Sequence, residues 1–299
     1  MTDNRKAAVT GAFVADALSL GVHWVYNTGV IDKKFGLVEG YHDPMTSYHK
    51  GKHAGDFTHY GDQMLVLLET LGDEGDFDAL RFARSWRDFF SGYQGYFDKA
   101  TNATLENMAA GKDLTQSASD SDDLAGASRM APLIPVYADD QERLIRSARQ
   151  QTAVTHGDER VILSADFFAR TVFATLSGSA PIDAMKSALD AVGADSPIAP
   201  LITKGLASRK RDTRETIAEF GQMCSVEAGL PGAVHLIARY SDDFKAAMVA
   251  NVMAGGDSSA RGMVAGMILG AAHGMAAIPE TWRSGMNAAD RIAALLSRS

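Results

Sequence analysis

The sequence predicts an all-α fold, a compact multi-helix domain, on three observations. Apolar residues recur with helical spacing in ten segments. Small polar or acidic residues stand where several of those segments need caps. No run alternates strictly between apolar and polar residues bounded by hairpin turns. The predicted helices are Ala7–Leu20, Asp62–Leu71, Phe77–Phe90, Gln141–Gln151, Glu159–Leu176, Ile182–Val192, Thr213–Val226, Asp242–Met253, Arg261–Met275 and Ala288–Leu296.

The first helix carries Gly11, Ala15 and Ser19 at a spacing of four, a narrow strip of small residues. Asn27 to Tyr60 follows as a long polar loop, and Gly55 to Met64 carries it into the second helix, with Asp62 in a capping position. Ser91 to Ala100 is a second loop, with Tyr93, Tyr96 and Asp98 around a glycine. Gly111 to Gly126 is a third, and its serines and aspartates from Gln116 to Asp123 read as mobile and solvated. Loops of this length in a compact helical domain are commonly functional or disordered. Thr155-His-Gly-Asp158 is a polar turn in which Asp158 caps the helix from Glu159. Asp195 to Arg211 is the fourth loop, and Arg209, Lys210, Arg211 and Arg214 read as a solvated helix start.

The segment from Asn251 to Arg261 ends on a Gly-Gly turn. Asp257 or Ser258 there can cap the following helix, whose positive end favours a nearby anion. Gly262, Gly266, Gly270 and Gly274 then share one helical face. Each costs about 1 kcal/mol relative to Ala and needs a packing reason, namely close backbone approach. Antiparallel packing of this ridge on the Gly11, Ala15, Ser19 strip would bring Asp16, Ser19 and His23 toward Asp257; separate neighbours for the two ridges are the alternative.

With 299 residues, 46% of them hydrophobic and 22% charged, the chain can bury a sizeable core in one domain or two. No repeat and no compositional break marks a boundary. A net charge of -8 disfavours nucleic acid and anionic membrane as partners and leaves small molecules or proteins. The single cysteine, Cys224, excludes an internal disulfide and a thiolate cluster; it reads as a buried small hydrophobe. The start MTDNRKAAVT lacks secretion-signal features, and the expected location is cytoplasmic.

Asp62 and Asp257 are the candidate catalytic and metal-binding carboxylates, with Thr58, His23 and His59 as auxiliary donors. Arg129, ahead of Pro132, could hold a phosphate or tie its loop to a core carbonyl. His156 could bind a ligand or move a proton. Tyr93 and Tyr96 could stack on a base or anchor their loop. Five of the eight histidines, His23, His42, His49, His53 and His59, fall in the first fifth of the chain without HExxH or paired Cys/His spacing, and most of them read as surface loop residues. No GxSxG elbow, P-loop or GxGxxG is present, which disfavours serine hydrolase, NTPase and dehydrogenase chemistry.

Taken in order, these pieces resemble the ADP-ribosylglycohydrolase family. Gly11-Ala-Phe-Val-Ala-Asp16 is similar to its opening helix motif, Gly55 to Met64 to its Thr-Asp-Asp-Thr segment, and Ser128-Arg-Met-Ala-Pro-Leu133 to its Met-Arg-Ile-Ala-Pro segment. Thr155-His-Gly-Asp158 resembles its Thr-His turn, and Gly255-Gly-Asp-Ser-Ser-Ala260 its Gly-Gly-Asp-Thr-Asp-Thr segment. The resemblance implies a single all-α domain over residues 1–299. It implies hydrolysis of a glycosidic bond in an ADP-ribosyl or other ribosyl compound, at two magnesium or manganese ions held by oxygen ligands. The chain departs from the pattern: Tyr60 and Gly61 occupy the paired-Asp positions, Asp62 stands for a Thr, His23 for a Glu, and Ser259 and Ala260 for the last Asp and Thr. Two carboxylates cannot neutralise two divalent cations. The expectation is therefore a site with one metal or none, in which Asp62 and Asp257 orient water or an ion and Tyr93, Tyr96, Arg129, His156, Ser258 and Ser259 contact substrate. A catalytically inactive binding protein for a nucleotide or sugar is the alternative, and an oligomeric scaffold a third.

Overall fold

A computed structural model describes residues 2–298, and among these it has seventeen α-helices and no strand. The helix Glu159–Leu176 has the predicted bounds, and Asp158 caps it by accepting from the Arg160 amide. The first helix begins earlier than predicted, at Thr2, and the helix predicted from Asp62 begins at His59, with Thr58 as its cap. Asp62 is displaced from cap to first turn.

Seven of the described helices lie outside the ten predicted segments or divide them, among them the short helices Ala125–Ser128, Leu133–Tyr137 and Glu280–Gly285. Thr28–Phe35 and Ala199–Ala207 fall in segments expected to be loops, and Lys99–Ala109 follows the Tyr93 loop. The segment predicted as one helix from Thr213 to Val226 ends at Phe220, where Gly221 takes a φ of 100°, and a new helix runs Val226–Arg239. Eight- and nine-residue helices show too few turns for a clear periodicity, and Pro231 inside Val226–Arg239 masks that one.

The centre of the molecule is the pairing of Thr2–Leu20 with Ser258–His273. Gly262 faces Ala15 and Ser19, Gly266 faces Gly11, and Gly270 faces Ala7, so the helices run antiparallel with their backbones in contact. Both are buried nearly throughout, and Val226–Arg239, Phe244–Met253 and Glu159–Leu176 pack around the glycine helix. The antiparallel alternative is the one realised, and it carries Asp16 to the start of the glycine helix.

The long loops are pinned. Trp282 Nε1 donates to Glu39 O at 2.8 Å, and Asn287 N to Gly55 O at 2.9 Å, tying the Asn27–Tyr60 region to the C-terminal helices. The serine-rich segment is not solvated as expected. Ser119 exchanges backbone hydrogen bonds with Thr155 and Gly157, Leu124 N donates to Cys224 O, and Val226 N to Asp122 O, so Ser117, Ser119 and Asp123 are buried. None of the described helices is long and apolar enough to cross a membrane.

Candidate functional site

The site is built where three helix ends meet: the turn after the first helix, the start of His59–Glu74 and the start of Ser258–His273. Gly255 and Gly256 both take left-handed φ near 66°, and Gly256 exchanges backbone hydrogen bonds with Trp24 and Val25. Trp24 is itself left-handed at φ 61°, a conformation unfavourable for a bulky residue and held here by that pairing. The turn delivers Asp257 as a helix cap, its Oδ1 accepting from Ala260 N.

Asp257 Oδ2 accepts from Trp24 Nε1 at 3.3 Å and lies 3.1 Å from the Tyr60 hydroxyl. The same hydroxyl lies 2.9 Å from Asp123 Oδ2, so it bridges two buried carboxylates, Asp123 at 6% and Asp257 at 1% exposure. Asp123 Oδ1 is fixed by the Ala125 amide. Burial, then the neighbouring Asp257 charge, pushes the Asp123 carboxyl well above its usual range. Burial also raises Asp257, against the pull of the Arg261 guanidinium. Cys224 completes the cluster: its sulfur and one oxygen each of Asp123 and Asp257 lie within 4.8 Å of one another. Burial and the two carboxylates push its thiol far up, so it is a neutral thiol beside the pair.

A third carboxylate, Asp16, is fully buried on the first helix. It accepts from Thr58 N at 2.8 Å, from Thr58 Oγ1 at 2.6 Å and from Ser259 Oγ. Burial raises it to about 6 in spite of those donors. Gly61 is required against it, because a Cβ there would run into the Asp16 carboxylate.

An aromatic cluster at the surface, the mouth, covers the group. Trp24, Tyr48 and Tyr96 pack edge-on with ring centres 5.0 to 5.2 Å apart, and Tyr26, Tyr48 and Met223 stand exposed. Below them His23, His49 and His59 are buried against the Trp24 ring. They are not the surface histidines expected, because their loops fold inward over the helix ends.

The other expected site residues divide. Ser259 faces Asp16, and Tyr96 borders the mouth. The Ser258 carbonyl accepts from Asn251 Nδ2, while its buried hydroxyl finds no partner among the described residues. Asp62 and Asp257 are not brought together. Asp62 accepts from Lys52 at 2.6 Å and from the Tyr93 hydroxyl at 2.5 Å, and Tyr93 packs on Phe89, Phe90 and Phe97, so both anchor a loop. Arg129 spans the interior, donating to Gln63 Oε1, Gln151 Oε1, Gln151 O and Thr155 Oγ1; it ties helices together and presents no free donor fork to a phosphate. His156 contacts the Thr155 hydroxyl through Nδ1 at 2.9 Å and is buried against Gly126.

Sequence reasoning missed Asp123, Cys224, Trp24, Tyr26, Tyr48 and His49. Asp123 stood in a segment whose polarity suggested solvent, and only its pairing across to Cys224 and Val226 reveals the burial.

A sequence model of ADP-ribosylglycohydrolase matches residues 2–299. The chain belongs to the ADP-ribosylglycohydrolase family. It is 23% identical to Crystallin J1A of Tripedalia cystophora, with 94% of this chain and 91% of that protein covered. It is 26% identical to an uncharacterized protein of Archaeoglobus fulgidus, covering 96% and 92%. The fold matches that of a solved structure, an ADP-ribosylglycohydrolase-related protein complex, with a TM-score of 0.75, 23% identity and 99% and 96% coverage.

The residues present do not fit the two hard cations of the family's active members. Tyr60 puts a neutral hydroxyl between the carboxylates, the Asp16 oxygens are taken by Thr58 and Ser259, and Asp62 is paired with Lys52. The remaining set includes a thiol, whereas magnesium and manganese favour oxygen.

Proposed function

We propose that this chain is a divergent family hydrolase that cleaves a glycosidic bond in an ADP-ribosyl or other ribosyl compound with the Asp123–Tyr60–Asp257 group in place of a dimetal centre. The observation that carries the reading is the Tyr60 hydroxyl within hydrogen-bond reach of both carboxylates at the base of an aromatic mouth. Burial and mutual repulsion raise both carboxyls, which favours a state with one protonated and the other ionised. The protonated member donates to the departing glycosidic oxygen; the ionised member, too close to it to admit a water between them, stabilises the positive charge that develops at the anomeric carbon, while water adds there and releases its proton to solvent. Trp24, Tyr48 and Tyr96 offer faces and edges to a planar ring, and Tyr60 orients the acid pair.

A second reading, a binding protein without turnover, is favoured by the burial of both carboxylates and the loss of the paired aspartates. A scaffold role draws support from two relatives being named crystallins. The three readings separate on incubation with ADP-ribosyl-arginine, ADP-ribosyl-serine, O-acetyl-ADP-ribose and simple ribosides, with and without magnesium or manganese, measuring binding and products together. Product that persists in chelator and is lost in Asp257→Asn supports the hydrolase. Saturable binding without product supports the binding protein, and neither leaves the scaffold.

A further inference from the structure

We infer that His23, His49 and His59 form a binding site for one transition-metal ion of the zinc class, separate from the carboxylate pair. The three imidazoles come from different segments: the turn after the first helix, the short helical turn Ser47–His49, and the first residue of His59–Glu74. All three are at most 2% exposed. Both nitrogens of His23 and Nε2 of His49 find no hydrogen-bond partner among the described residues, and neither does Nδ1 of His59. Buried polar atoms left unmatched in this number are unusual and costly, so the cluster calls for a ligand that takes up nitrogen lone pairs.

The spacing of the ring centres suits one ion. The ring centres lie 5.2 Å apart for His23 and His49, 5.8 Å for His49 and His59, and 6.3 Å for His23 and His59. A point equidistant from three such centres lies roughly 3.4 Å from each, close to the roughly 3.2 Å that a zinc–nitrogen bond of about 2.0–2.1 Å places between metal and ring centre. As the rings stand, their nitrogens do not converge as the Asp123, Cys224 and Asp257 ligand atoms do. Binding therefore requires His23 and His49 to turn about the Cβ–Cγ bond, a soft torsion that leaves the ring centre nearly in place, while Asp98 keeps the His59 ring where it stands.

His59 also has the support that metal-binding histidines use. Its Nε2 lies 3.1 Å from Asp98 Oδ2, off the line of a well-formed hydrogen bond, and Asp98 is itself held by the Thr101 amide. A carboxylate against one nitrogen fixes the ring and leaves the other, Nδ1, as ligand. Imidazole donors select zinc, copper, nickel or iron over magnesium. Three of them leave a fourth tetrahedral position without a protein ligand. The Trp24 ring packs on all three histidines while its N–H holds Asp257, so the indole separates this site from the carboxylate pair.

The test is equilibrium dialysis of the chelator-stripped 299-residue protein against zinc and cobalt(II) chloride, with metal counted by elemental analysis. About one equivalent per chain is expected, and the cobalt form shows visible d–d absorption without a near-ultraviolet thiolate band. His23→Gln and His49→Gln each weaken binding at least about tenfold. Asp98→Asn weakens it about 10- to 100-fold, and Asp257→Asn and Cys224→Ser leave it unchanged. Circular dichroism checks the fold of each variant, and the wild-type cobalt spectrum decides the ligand type even where a variant unfolds. Absence of binding, a thiolate band, loss of binding in Asp257→Asn or Cys224→Ser, or indifference to the histidine substitutions in folded variants would each overturn the site. Because the readout is metal content and not turnover, failure here is distinct from failure of the hydrolase reading.

Discussion

Gly11 and Gly266 meet backbone to backbone: a Cβ built on either would fall well inside 3.0 Å of the other's carbonyl oxygen, closer than real Cβ atoms sit. Neither helix can yield locally, because Gly270 makes the same approach to the Ala7 backbone one turn on, and Gly262 is closed by the side chains of Asn251, Ala15 and Ser19 on the other side. The contact sets the height at which Asp16 reaches Ser259.

Gly266→Ala is therefore expected to destabilise the fold by roughly 1–3 kcal/mol through overpacking, although alanine is favoured over glycine by about 1 kcal/mol inside a helix. Gly72→Ala is the control. It lies inside His59–Glu74 and its Cβ meets only the Leu295 side chain, which can shift. It should be neutral or stabilising. Denaturant midpoints of the two variants check this, and equal effects would refute the argument.

The glycine ridge was legible because four glycines at a spacing of four have few uses other than close packing. The Asp257 cap was legible for a similar reason, since a Gly-Gly turn before a helix demands one. Asp123 was not, because a buried carboxylate in a serine-rich segment has the same local sequence as a solvated one. What buries it is backbone pairing with Cys224 and Val226, a hundred residues distant in the chain. The histidines were misread for the same reason: their loops fold inward through contacts that spacing does not encode. Asp62 was overvalued because it is acidic and near the family motif, whereas the structure turns it to Lys52 and Tyr93.

Arg129→Met tests whether that guanidinium ties the core together or contacts a ligand. Its removal leaves Gln63, Gln151 and Thr155 without their buried donors. A loss of about 3 kcal/mol or more in unfolding free energy is expected. Ligand affinity of the folded fraction should be unchanged; a selective loss of affinity at full stability would show a direct contact instead.

Tyr60→Phe deletes the hydroxyl between Asp123 and Asp257 while keeping the ring. The lost hydrogen bonds favour the ionised carboxylates, so both groups should rise further above their usual range. The destabilisation should reach roughly 1–3 kcal/mol where a carboxylate is ionised and shrink as pH falls and both become neutral. Urea unfolding at pH 5 and pH 8 measures it, and a penalty larger at pH 5 would refute the bridge.

Asp16 supplies a pH dependence of fixed sign. Its carboxyl is raised from 3.8 to about 6, chiefly by burial, so the folded state holds its proton more tightly than the unfolded chain. That contribution is fully present below about pH 3.8 and is lost as pH rises through about 6. A shift of this size corresponds to something on the order of 3 kcal/mol. Asp16→Asn keeps an acceptor for Thr58 and does not titrate. The stability of the variant minus that of the wild type should therefore climb between pH 4 and pH 6.5, by up to about 3 kcal/mol, and level off above. Taking the difference cancels groups that titrate alike in both proteins. Unfolding free energies across that range provide the measurement, and a difference constant with pH would mean that the Thr58 and Ser259 donors already offset the burial of the charge.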